Sequence, residues 1–338
     1  MNKNISFKDR MNQYYSENKE LMPDFPKNML LEVTNACNHS CVFCANSKMT
    51  RKKSLIDFNF ACRILKEAYD LGTREVGFYS TGEPLINKDL EQYIKLAKDI
   101  GYEYVYITTN GALLMPERAR SIVESGIDSI KFSINAGTKE KYLAIHGQDN
   151  FEEVYNNLKY LFEYRKEHEL NFKIFVSCIL TKYTAVEKEI FVEKFGKISD
   201  NIAFLNCKNQ CGVMYEINNL LEVDNTEDVP MSTYCPLPFN KLHITCEGYI
   251  TACCADFQNY LAVADLNNTK LIDAWNNETF IQLRRRHIEN TLEGTLCFNC
   301  VENKNDKILP LESKLSAKID DNCFNKRDEI IDRIKLIK

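Results

Sequence analysis

The stretch MLLEVTNACNHSCVFCANSK, residues 29–48, decides how the chain is read. It opens as a short, mostly apolar run, MLLEVT (29–34), and passes directly into a polar loop carrying Cys37, Cys41 and Cys44. A buried, unreactive cysteine behaves as a small apolar group. Three of them beside Asn35, Asn38, His39 and Ser40 do not make a packed core. The pattern is a strand that ends in a thiol-rich loop, so the thiols bind something, pair with each other, or have no role.

Composition narrows those options. The 338 residues are long enough for one large domain or two ordinary ones, and 44% hydrophobic with 27% charged residues describes a soluble globular chain. The first thirty residues hold no continuous apolar run, so the expectation is no signal peptide, no membrane anchor and a cytoplasmic location. Fourteen cysteines in a reducing compartment read as metal ligands or catalytic groups rather than disulfides. The net charge of −5 argues against a nucleic-acid partner. The arginine run at Arg284–Arg286 reads as a solvated helix face, with contact to an anionic partner as the alternative.

Outward from the opening stretch, apolar periodicity alternates between strand and helix. Strands are expected at 29–34, 75–80, 104–109, 129–135, 172–180 and 201–206, and helices at 58–72, 88–101, 115–126, 150–168 and 186–198. Strand–helix alternation implies right-handed parallel crossovers. Six units are too few for a closed eight-fold barrel and suit a partial (β/α)6 barrel of the TIM type, an α/β fold. Chemistry in such folds gathers at the C-terminal ends of the strands. The cysteine triplet, STGEP (80–84), TTNG (108–111) and SINAG (133–137) all fall there. Tyr79, Lys131 and His146 are polar candidates by position alone.

The style changes after residue 212. The expected organisation is an N-terminal extension at 1–27, the barrel at 28–212, a linker at 213–232, a small cysteine-rich domain at 233–310 and a tail helix at 311–338. The cysteine-rich part should hold a hairpin over 241–254 turning at Glu247–Gly248, then one helix over 271–288. Alternation along that hairpin would point Cys254 away from Cys253. Cys246 reads as core, Cys62 and Cys178 as buried thiols, and Cys323 has no assigned role. Cys207 and Cys211 follow the sixth strand and should lie near the barrel mouth, where a thiol can donate a hydrogen atom.

Ligand counting separates the metals in part. Structural zinc normally takes four ligands, and an iron–sulfur cluster is also held by thiolates. Three thiolates from one loop leave one metal position open, which favours a reactive cluster.

The CxxxCxxC spacing of Cys37, Cys41 and Cys44, with Phe43 before the last cysteine, resembles the signature of the radical S-adenosylmethionine (radical SAM) enzymes, and the alternation over 28–206 resembles their barrel. The resemblance implies a 4Fe–4S cluster held by the three cysteines, with its open iron binding SAM. One-electron cleavage would then give a 5′-deoxyadenosyl radical that abstracts hydrogen from a substrate. It implies that Gly82 and Glu83 lie near the SAM ammonium, with Thr81 where a second glycine is more usual. Ser133 and Asn135 would lie near the ribose, Asn110 on the same wall and Phe43 near adenine.

Cys235, Gly248 and Cys253, with the CxxC pair Cys297 and Cys300, resemble the SPASM/twitch extension of some members of that superfamily. This implies one auxiliary 4Fe–4S cluster on those four thiolates; a four-cysteine zinc site is the rival. The expected activity is oxidation or epimerisation of a small polar molecule such as a sugar, cyclitol or sugar nucleotide. Electrons would come from a flavodoxin or ferredoxin. A peptide-modifying SPASM maturase and a non-catalytic iron–sulfur protein are the alternatives.

Overall fold

The structure is a computed structural model that describes residues 17–215, 217, 221, 235–318, 329, 332, 333 and 335. The expected linker and tail helix lie mostly outside the described residues, as does Cys323. Among the described residues no helix is long and apolar enough to cross a membrane.

Six strands alternate with helices through the first two thirds of the chain. They are β1 (Asn28–Leu31), β2 (Glu75–Gly77), β3 (Tyr104–Thr109), β4 (Ser129–Ser133), β5 (Lys173–Leu180) and β6 (Asn201–Asn206). The helices between them are α1 (Phe58–Asp70), α2 (Leu90–Ile100), α3 (Pro116–Glu124), α4 (Lys139–His146), α5 (Phe151–Glu167) and α6 (Lys188–Phe195). Local chemistry sets several ends. Asp57 caps α1 by accepting from the Phe60 amide at 2.8 Å, and α2 stops at Gly101, whose φ of 117° suits glycine.

The C-terminal part adds α7 (Leu237–Asn240), β7 (Lys241–Ile244), β8 (Tyr249–Thr251), β9 (Ala262–Asp265), α8 (Leu271–Trp275), α9 (Glu278–Glu289) and α10 (Leu296–Val301). Among the described residues all strands join one sheet in the order β6-β5-β4-β3-β2-β1-β7-β8-β9. The first six pair in parallel and the sheet does not close, as the partial barrel requires. The expected hairpin is present as the antiparallel β7–β8 pair, and β7 also runs parallel to β1. The cysteine-rich region therefore extends the barrel sheet.

Strand register sorts the two faces. Met29, Val76, Val105, Ile130, Ile174 and Leu242 lie on the face that carries the helices and are fully buried. Each such aliphatic side chain contributes roughly 1.5–3 kcal/mol by leaving water. The other face is polar: Asn28 donates to Glu75 at 3.0 Å, Tyr106 to Asn28 at 3.0 Å and Tyr104 to Ser129 at 2.7 Å. Gly77 is needed here because a Cβ would fall 2.7 Å from both Leu30 and Tyr106.

Three expectations change. The helix expected at 271–288 is two, because Asn277 breaks it and caps α9 by accepting from the Phe280 amide at 2.8 Å. Helix α4 has no counterpart in the periodicity reading. It is eight residues long, too short to persist alone, and holds by burying Tyr142, Ile145 and His146. Finally, Arg284 is not on a solvated face. It is completely buried, donates to Pro238 O, Leu21 O and Trp275 O, and stacks between Trp275 and Phe280 at 4.2 and 4.1 Å.

Candidate functional site

The triplet loop leaves β1 and is fixed from three sides. The Ser40 and Val42 amides donate to His146 O and Ile145 O at the end of α4, at 3.0 and 2.9 Å. Asn46 donates to Asn35 O and Thr81 O, and Lys53 donates to Asn46 at 2.9 Å. Arg333 donates to Ser40 O at 2.7 Å. This scaffold brings the three sulfurs within mutual influence. Burial pushes the Cys37 thiol up to about 12, with Glu83 and Cys44 adding to it. Burial raises Cys41 well above the ordinary thiol range, and Cys44 and Cys37 add to that; burial also raises Cys44. Three adjacent half-buried thiols are costly as anions until a cation joins them, which is the donor chemistry of a thiolate-held metal centre.

Behind Cys41 lies a histidine pair that the spacing of the triplet gave no reason to expect. The Cys41 Sγ is 3.4 Å from His146 Nδ1, and His39 Nδ1 is 3.0 Å from the same nitrogen. His146 Nε2 lies 2.7 Å from Ile134 O, which can only accept, so the proton sits on Nε2 and Nδ1 is bare. Burial lowers His146 to about 3 and His39 to about 4, so both are neutral.

Gly82 passes hard against the triplet loop: a Cβ there would lie 2.4 Å from Ala36 O and Thr34 O. Only glycine permits that approach. The Glu83 amide then donates to Ala36 O at 2.8 Å. Its buried carboxylate accepts from Leu85 N (3.1 Å), Thr109 Oγ1 (2.7 Å) and Asn110 N (2.7 Å). Burial lifts this carboxyl to about 7, against the opposing pull of Asn110, Thr109 and Leu85. Asn110 donates to Asn38 in the triplet loop at 2.8 Å. Asn135 adopts φ 59° and contacts His146 Nε2 at 3.3 Å, while Ser133 is half-buried 3.5 Å from Ser177. Phe43 is buried in an apolar group with Val42, Ala144, Ile145, Met214 and Phe257, against which Cys41, Cys44 and Cys207 pack.

A second thiol group forms in the C-terminal part. Cys235 acts on both Cys253 and Cys297, raising each. Cys211 joins this group and not the triplet side: it is 3% exposed, and Cys253 and Cys300 are the groups that act on it most strongly. Cys254 does not follow strand alternation, because β8 ends at Thr251; it contacts both Cys253 and the buried His243. Of the remaining cysteines, Cys178 is buried as expected, while Cys62 is only half-buried.

A buried ion cluster pins the two regions together. Arg51 binds Glu32, donates to Glu247 through Nε at 2.8 Å and lies 3.7 Å from the Cys246 sulfur. Burial opposes its charge, but Glu32 and Glu247 outweigh that and raise its pKa. Glu32 also accepts from the Thr81 and Cys246 amides, so the loops after β1, β2 and β7 share one carboxylate.

Comparison with known families matches residues 31–183 to the radical SAM superfamily and residues 235–301 to the SPASM iron–sulfur cluster-binding domain. The chain is a radical SAM enzyme with a C-terminal SPASM domain. Its cofactors are SAM and a 4Fe–4S cluster, with auxiliary iron–sulfur centres belonging to the SPASM domain. The triplet and the C-terminal thiols fit those groups by donor type, each being a set of free cysteines brought near one another.

Two curated relatives frame the radical SAM enzyme. The GTP 3′,8-cyclase of Chlorobaculum tepidum is 30% identical over 125 residues, 37% of either chain. The chain thus matches little more than a third of that relative's length. The S-adenosyl-L-methionine-dependent 2-deoxy-scyllo-inosamine dehydrogenase of Niallia circulans is 22% identical over 278 residues, 80% of this chain and 90% of that one. Two solved structures share the fold. BtrN in complex with AdoMet and 2-DOIA has a TM-score of 0.56 at 18% identity, covering 86% of this chain and 99% of that chain. Streptococcus suis SuiB bound to the precursor peptide SuiA has a TM-score of 0.61 at 16% identity, covering 89% and 76%.

Proposed function

We propose that this enzyme abstracts a hydrogen atom from a small polar substrate, a sugar, cyclitol or sugar nucleotide, and completes an oxidation or epimerisation. The observation that carries the reading is the pair of thiol groups mounted on one sheet whose non-helical face is polar. The near full-length similarity to a cyclitol-amine dehydrogenase supports it. Cys37, Cys41 and Cys44 would hold the SAM-binding cluster, and Cys235, Cys253, Cys297 and Cys300 one auxiliary cluster. When bound, the first cluster and SAM supply a 5′-deoxyadenosyl radical.

The chain's own residues prepare that chemistry. Gly82 and Glu83 would set the loop beside SAM, with Asn110, Ser133 and Asn135 along the same wall. Phe43 shields the triplet with apolar surface, which keeps water from a reactive intermediate. Cys207, which packs against the same apolar group as Cys41 and Cys44, would return a hydrogen atom in an epimerisation. A flavodoxin or ferredoxin is the electron donor expected. The fold shared with SuiB makes peptide modification the second reading.

Anaerobic reconstitution tests the proposal. Two clusters give about eight iron and eight sulfide per chain. Dithionite and SAM should release 5′-deoxyadenosine, and the triple Cys37→Ala, Cys41→Ala, Cys44→Ala variant should lose that release and about half the iron. Deuterated cyclitols or sugar nucleotides should pass deuterium into 5′-deoxyadenosine. Transfer from a peptide and from none of these would establish the second reading instead.

A further inference from the structure

Leaving aside Cys254, the chain neighbour of Cys253, five thiols, not four, meet in the C-terminal group among the described residues. Four come from the spacing that matches the SPASM pattern. The fifth, Cys211, arrives from beyond β6, at the opposite end of the sheet order from β8 and β9. Its loop is docked, not draped. Asn209 donates to Asn299 O at 3.2 Å and to Asn303 at 2.8 Å. A Cβ on Gly212 would fall 2.5 Å from Lys304 O and 2.9 Å from Asn299 Cβ. On the other side Lys48, next to the triplet, donates to Val213 O at 3.1 Å.

The backbone is strained to make this contact. Gln210, Cys211 and Gly212 take φ of 48°, 57° and 88° in succession. A non-glycine residue in the left-handed region costs roughly 1–2 kcal/mol and persists only where the surroundings fix it. The result places the almost fully buried Cys211 beside the helix that carries Cys297 and Cys300, with Cys253 and Cys300 as its strongest influences.

A cubane offers four terminal positions, one per iron, and the four pattern thiolates fill them. A fifth thiol beside two ligating sulfurs then keeps a proton that it can give to either of them. Hydrogen bonds to cluster sulfurs withdraw electron density and raise the reduction potential.

We propose that Cys211 is the hydrogen-bond donor of the auxiliary centre: its thiol, unligated, donates to the sulfur of Cys253 or Cys300 and raises the potential of the cluster held there. This rests on the reading that the C-terminal thiols hold one cluster. Its consequence is that the loop after β6 sets how readily that centre accepts an electron.

The test uses the full chain carrying Cys37→Ala, Cys41→Ala and Cys44→Ala, so that only the C-terminal centre is loaded. Iron, sulfide and an EPR-monitored redox titration are measured after anaerobic reconstitution. Adding Cys211→Ala should keep the iron of the parent, about four per chain, and shift the potential downward. Adding Cys211→Ser, whose hydroxyl still donates, should keep the iron and restore the potential toward that of the parent. Loss of iron in Cys211→Ala, which would make Cys211 a ligand, overturns the proposal, as does a potential that does not move. A parent without iron overturns the auxiliary-cluster reading itself, so the two failures are told apart.

Discussion

Replacing Arg51 by methionine tests how much the fold depends on one buried cation. The Arg51 side chain is 2% exposed, Glu32 is 1% and Glu247 is 23%. Methionine keeps most of the volume and removes the charge. Glu247 can turn toward water. Glu32 cannot, and is left buried with only the Thr81 and Cys246 amides, at 3.2 and 3.1 Å. Breaking a buried pair in this way costs about 3–5 kcal/mol, a large part of the roughly 5–15 kcal/mol that holds a domain together. At about 2–4 °C per kcal/mol, the expected fall in melting temperature is on the order of 10 °C. The single tryptophan, Trp275, reports unfolding by fluorescence. Adding Glu32→Gln removes the stranded charge, so the double variant should regain about 1–3 kcal/mol over Arg51→Met. An Arg51→Met protein within about 1 kcal/mol of the parent, or a double variant no better than the single, would refute the reasoning.

Gly82→Ala should cost the triplet loop its seat, because the new methyl meets two backbone carbonyls at 2.4 Å; the check is loss of about four iron and of 5′-deoxyadenosine release, with the C-terminal centre intact. Burial holds His287 down to about 4, against about 6.5 in an unfolded chain. Its contribution is complete above about pH 6.5 and is lost as pH falls toward about 4, roughly 3 kcal/mol in all. His287→Leu should flatten that part of the acid limb in denaturant titrations between pH 4 and 7, and equal slopes would remove His287 as the cause. Asn277→Ala should destabilise α9 by about 1 kcal/mol through loss of its cap, and an unchanged unfolding midpoint would show that the helix break has another origin.

Much of the barrel could be read from local pattern. Strands β3 and β6 fall where apolar periodicity puts them, since both the residues and their limits are local. What escaped is what depends on distant chain. Helix α4 has little period of its own and is stabilised by the loop it buries. Arg284 looks like a surface residue because nothing in RRR says that Trp275 and Phe280 will close around it. At the site, Cys37, Cys41 and Cys44 announce themselves by spacing, but His146 reaches Cys41 across 105 residues of sequence. Cys211 could be placed after a strand, and nothing in its neighbours indicated that its loop crosses to the thiols of the other sheet end.

The parallel pairing of β1 with β7 makes the strand that launches the triplet loop a direct neighbour of the hairpin that leads to Cys253. Ordering at either end of that ladder therefore lowers the entropy cost of ordering the other. Cofactor loading at the two loci should be cooperative, with each enhancing the other's affinity by the same factor. An excised fragment ending before β7 would bare the edge of β1 to other chains, inviting association where the intact protein has a strand.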